Sequence, residues 1–163
     1  AAPARRVPDM SVRQVHDEEQ AKQLLDSKRK DNLQSTWVGA PEMKFYPRNL
    51  EGCFTGMYVP DNANEESAPM SMFHKILNGK EAQSTVVVNF KAGHNRTRGN
   101  GQPKGYRQGD GGAVMLESGD WVYELYFLPN LDGWAGNVYK KQKDESRTPI
   151  GKVMLARGGN CEH

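Results

Sequence analysis

The stretch Gly112–Gln142, GAVMLESGDWVYELYFLPNLDGWAGNVYKKQ, decides the fold class. It reads as three strands joined by two tight turns. Ala113–Glu117 is short and apolar. Ser118-Gly119-Asp120 offers a turn in which glycine takes positive φ without steric cost. From Trp121 to Leu128 the chain alternates: Trp121, Tyr123, Leu125 and Phe127 fall on one face, and Val122, Glu124, Tyr126 and Leu128 on the other. Pro129-Asn130-Leu131-Asp132-Gly133 supplies the second turn, and Trp134–Gln142 runs back. Such a meander is the middle of an antiparallel sheet.

The rest of the chain is read outward from it. With 163 residues the chain makes one domain with room for a real core. Its hydrophobic share of 36% is low, so the core is compact and the ends polar. Seventeen Gly and nine Pro supply the turns an all-β fold needs. No apolar run reaches transmembrane length. Ala1 and the arginines after it fit a mature end left by removal of a targeting or secretory segment, or an arbitrary boundary. An organelle and the exterior both stay open as locations.

Residues 1–15 lack periodicity and are read as an extended arm. Asp17-Glu18-Glu19-Gln20 offers a capping-box start for a helix over about 17–30, with Ala21, Leu24 and Leu25 as its apolar stripe. Short strands follow at Thr36–Val38, Met43–Tyr46, Leu50–Val59, Ser84–Lys91 and Pro149–Ala156. Residues 69–78 fit either a helix or a strand, with strand favoured. Residues 157–163 form a polar tail, and residues 16–156 one β-rich domain. We expect a mainly β fold: an antiparallel up-and-down barrel or sandwich of about eight short strands, with one N-terminal amphipathic helix and extended termini. Trp37–Val59, with a Trp near the first strand and Phe54-Thr55-Gly56-Met57-Tyr58 soon after, resembles the opening of calycin barrels. The likeness covers about two strands. The Gly-x-Trp order of lipocalins is replaced by Ser35-Thr36-Trp37-Val38-Gly39, so the resemblance implies a barrel and no function.

The least ordinary segment is Lys91–Gly112, KAGHNRTRGNGQPKGYRQGDGG. Its five cations, Lys91, Arg96, Arg98, Lys104 and Arg107, exceed the whole chain's net charge of +2, so the remainder is net acidic. Its glycines read as a pliable loop, and long loops in compact domains carry function or lack order. With His94 and Tyr106 it forms a candidate surface for an acidic protein partner or for nucleic acid. Asn95-Arg96-Thr97 is a glycosylation sequon that matters only for a secreted chain. Trp121, Tyr123 and Trp134 are candidate cavity residues, with ordinary core as the plainer reading.

Cys53 and Cys161 admit a disulfide that would tie down the tail; two independent free thiols are the favoured reading. The histidines lack metal-ligand spacing, and neither a metal nor a cofactor is expected. Nucleophile-elbow, phosphate-loop and zinc-protease motifs are all missing, so no catalytic residue is assigned. Glu117 and Glu124 read as exposed sheet acids. The expected function is a non-catalytic accessory subunit of a larger protein complex, docking through its termini and the basic segment. The alternatives are an RNA- or DNA-binding module using residues 91–107, and a ligand-binding barrel or small enzyme using its aromatic interior.

Overall fold

The computed structural model describes residues 12–31, 50–77, 82–91, 93–101, 104–106, 109–144 and 146–161. Helix α1 spans Val12–Asp31. The strands are β1 Gly52–Pro60, β2 Ala68–Ile76, β3 Ala82–Phe90, β4 Gly93–Gly101, β5 Lys104–Tyr106, β6 Gly109–Ser118, β7 Trp121–Leu128, β8 Gly133–Lys141 and β9 Arg147–Arg157. They form one sheet in the order β4-β3-β2-β1-β9-β8-β7-β6-β5. Sequential strands pair antiparallel except β4 and β5, which are the two ends of the sheet, and β1 pairs antiparallel with β9, joining the first of the described strands to the last. On the far side the Ser118 hydroxyl of β6 donates to the Arg96 carbonyl of β4 at 3.4 Å. The chain is thus mostly antiparallel β, in a nearly closed barrel-like sheet.

Strand alternation sets what is inside. In β2, Ala68, Met70, Met72, His74 and Ile76 are buried, which settles Ala68–Ile76 as strand; Leu77 follows in a bend, and residue 78 lies outside the described residues. They meet Phe54 and Tyr58 of β1, Val86 and Val88 of β3, Tyr123, Leu125 and Phe127 of β7, and Trp134 and Val138 of β8. The interior is aromatic: Trp134 stands edge-on to Phe54 and Phe127, with centroids 6.1 and 5.3 Å away. The core also depends on an inward glycine, because a Cβ on Gly136 would lie 2.5 Å from the Glu124 carbonyl oxygen. The expected Ser118-Gly119-Asp120 turn is present, with Gly119 at φ 57°. At the second turn Pro129–Leu131 form one 3-10 turn, closed by Asp132 in the left-handed region.

Helix α1 lies on the outer wall of the barrel. Ala21, Leu24 and Leu25 cover Ala113, Tyr126 and Ala135, flanked by Leu128, Leu131 and Met154. The helix begins at Val12, upstream of the expected Asp17 start, so Asp17 lies within it. The expected strands at Thr36–Val38 and Met43–Tyr46, and residues 1–11 of the arm, lie outside the described residues.

Three expectations are corrected. Residues 91–107 are not simply a loop: β4 pairs with β3 along nine residues and β5 pairs with β6. The ladder hydrogen bonds and a place beside the apolar β3 outweigh the poor strand propensity of Gly and Asn. Cys53 and Cys161 are not free thiols but a disulfide. The tail after β9 folds back on β1, where the Gly158 N–H donates to the Cys53 carbonyl at 2.9 Å and the Thr55 hydroxyl donates to the Gly158 carbonyl at 3.0 Å. Third, Glu124 is not an exposed sheet acid. It is fully buried beneath α1, whereas Glu117 is exposed and paired with Lys141 at 2.8 Å.

Candidate functional site

Arg96 and Arg98 fall on the outside of β4, and Lys91 precedes it. Thr97 faces inward and is buried, so its neighbours Arg96 and Arg98 point out, and both are exposed. Arg96 stands opposite Val87 and Arg98 opposite Thr85. The Arg98 Nε donates to the Thr85 hydroxyl at 3.4 Å, which draws its guanidinium across the sheet. His94 takes the register position opposite Asn89. Lys91 precedes β4 with an 88% exposed side chain, 4.0 Å from Glu66. Lys104 and Tyr106 lie in β5, paired with Ala113 and Gly109. Arg107 lies outside the described residues. The sequon falls within β4 with its Thr97 buried, unlike the open surface a glycan needs.

Register extends this wall across two more strands. Phe73 of β2 pairs with Thr85, Ser71 with Val87, and Lys75 with Gln83. Phe73 is 40% exposed and Lys75 is exposed. The outer wall of β2–β4 thus carries exposed Phe73, Lys75, Arg96 and Arg98 around Thr85 and Val87 of the central strand, which are buried. Sequence reasoning left Phe73 and Lys75 out of the site. The signal was the strand alternation in residues 69–78, legible once helix is excluded.

A second wall adjoins the helix. Met154 of β9 flanks the cluster under α1 and pairs with Met57 of β1, which in turn pairs with Pro69 of β2. Met57 is 42% exposed and Val59, on the same face, 51%. Apolar surface therefore continues from beneath the helix onto an uncovered wall.

Inside, Tyr123 and Trp134 are buried in the core cluster, and Trp121 packs at its end against Tyr58 and Phe90. Trp121 and Tyr123 pack together with centroids 6.0 Å apart, and Trp134 packs against Phe54, Phe127 and His74. One unforeseen polar pair sits among them: His74 Nδ1 and the Ser84 hydroxyl are 2.6 Å apart. Burial lowers the His74 pKa to about 4, partly offset by the Glu51 charge, so its ring is neutral at neutral pH. A neutral His beside a Ser resembles a base and nucleophile. Here the imidazole also lies 5.0 Å from the Trp134 ring, and both partners are buried, so the pair serves packing.

Under the helix, Glu124 Oε1 accepts from the Tyr139 hydroxyl at 3.0 Å and from Asn137 Nδ2 at 3.3 Å. Asn137 Nδ2 also donates to the Leu25 carbonyl of α1 at 2.9 Å, and Asn137 Oδ1 accepts from Arg29 Nε. Arg29 reaches on to Asp61 and to the Gly151 carbonyl. Burial, then the Glu124 charge, pushes the Tyr139 phenol up and keeps it a donor. Among the described residues no group of three metal-ligating side chains converges, and no helix is long and apolar enough to cross a membrane.

No family model matches this chain, and no curated protein matches its sequence.

Proposed function

We propose that this chain is a non-catalytic accessory subunit that docks onto a partner protein in a larger assembly. The observation that carries this is the apolar strip Met154–Met57–Pro69, with Val59, running out from under α1. A helix of this chain already covers one half of a continuous apolar wall. An apolar helix face of a partner suits the other half, because it would extend the same packing. The packed aromatic interior supports a scaffold over a ligand-holding barrel. The C-terminal tail is removed from the docking elements, since the disulfide holds it on β1.

The test is Met57→Asp with Val59→Asp, purified natively from the source beside the unaltered chain. We expect the unaltered chain to travel in a complex and the variant to run as a folded monomer with an unchanged circular dichroism spectrum. An unaltered chain that is monomeric at every purification step would sink the proposal. So would a variant that keeps all its partners.

A further inference from the structure

We infer that the outer wall of β2–β4 is a binding platform for single-stranded nucleic acid. This rests on different residues from the docking strip and stands whether or not Met57 and Val59 meet a partner. Three strands place their outward residues in rows. One row is Phe73–Thr85–Arg98, the next Ser71–Val87–Arg96, and the third begins Lys75–Gln83. Among the described residues no Asp or Glu stands on this wall. At its margins Glu66 stands beside Lys91, and Glu51 accepts from the Ile76 N–H at 2.8 Å. A chain whose other parts are net acidic thus has, among its described residues, one outer wall without a carboxylate.

The chemistry of that face matches a particular polymer. Cations two residues apart on one strand are about 7 Å apart, and neighbouring strands about 5 Å apart. Arg98 and Phe73 are therefore roughly 10 Å apart across the row. An extended strand of nucleotides can lay phosphates along Arg96, Arg98 and Lys75 while turning one base onto the Phe73 ring. A duplex cannot do this, because its bases are already stacked and a broad sheet enters neither groove. An acidic peptide would use the arginines but has no use for an exposed ring among them. Two further features prepare the platform. Arg98 is held toward Phe73 by the Thr85 hydroxyl. Phe73 pairs with Cys53, whose disulfide fastens the adjoining edge. Arg96 and Arg98, two of the cations that composition pointed to, are thus one edge of the site, and the aromatic comes from another strand.

Fluorescence anisotropy with labelled oligo-uridine and oligo-deoxythymidine tests this, against a matched duplex and polyglutamate as competitors. Binding to one or both single strands is expected to weaken steeply between about 50 and about 200 mM salt. Arg96→Gln and Arg98→Gln each flatten the slope of log affinity against log salt by about one, or somewhat less. Phe73→Ala weakens binding about tenfold and leaves the salt slope alone. Lys22→Ala, on the exposed side of α1, changes neither. Absence of binding at low salt would overturn the proposal. Displacement by polyglutamate or duplex as readily as by unlabelled oligonucleotide, with no loss for Phe73→Ala, would reassign the face to a general polyanion. Circular dichroism of each variant separates loss of the face from loss of the fold.

Discussion

At the scale of single residues, a histidine and a glycine show how neighbouring strands constrain a position in the barrel. His74 is buried against Trp134 and titrates near 4 instead of 6.5. In the unfolded chain it takes up a proton as pH falls through 6.5, while the folded chain resists until about 4. The unfolded state therefore binds more protons in this window, and stability falls as pH drops across it. The loss is up to about 3 kcal/mol. Urea unfolding at pH 7 and again near pH 4.5 reads it, and His74→Leu should remove most of that difference. A result with no pH effect in the unaltered chain would contradict the burial. Gly136 is the second case. Gly136→Ala drives a methyl into the Glu124 carbonyl and Leu125, and we expect about 2 kcal/mol or more of lost stability by thermal unfolding. Neither residue stood out in the sequence, because its constraint comes from neighbours on other strands. The inward run Tyr123, Leu125, Phe127 was legible because period-2 alternation is local.

Among the elements, α1 and β4 are the two whose roles depend most on what they lie against. The sequence showed the Ala21, Leu24 and Leu25 stripe, but three residues make a narrow anchor. The polar contacts supply the rest: Asn137 with Leu25, Arg29 with Asp61 and Gly151, and Lys152 with Asp26 at 2.7 Å. The Lys152 hydrogen bond holds the Asp26 carboxyl below the usual carboxylate range. That pair is exposed on its Asp26 side and contributes little. Asn137 is buried, and Asn137→Ala leaves the Leu25 carbonyl and Glu124 short of a donor, at a cost of about 2 kcal/mol. Hydrogen exchange should then show α1 amides opening faster than those of β7 and β8. Equal protection in both would mean the network does not hold the helix. Strand β4 was illegible for the opposite reason. Gly, Asn and Arg carry no apolar alternation, and its backbone is ordered by its pairing with β3. The face it completes could be found only through register, since Phe73 precedes Arg98 by 25 positions.

For the whole molecule, the fold class was readable because hairpins are local, and the way the ends meet was not. Two cysteines 108 positions apart say nothing about distance until β1 and β9 are known to pair. The bridge closes most of the domain into one loop and should add about 3–4 kcal/mol. Unfolding in urea with and without reductant measures this. The reduced chain should also shift on a denaturing gel after thiol labelling. Full labelling of freshly isolated protein would place both residues as thiols in the cell and cancel the added stability.

Strand β9 lies between β1 and β8, so the oldest and youngest parts of the barrel are neighbours. During translation the early hairpins must wait on the ribosome with one side of β1 unmatched. Until about Arg157 clears the exit tunnel there is nothing to zip them shut. Closure of the barrel therefore waits on the emergence of β9, however early the first hairpins form.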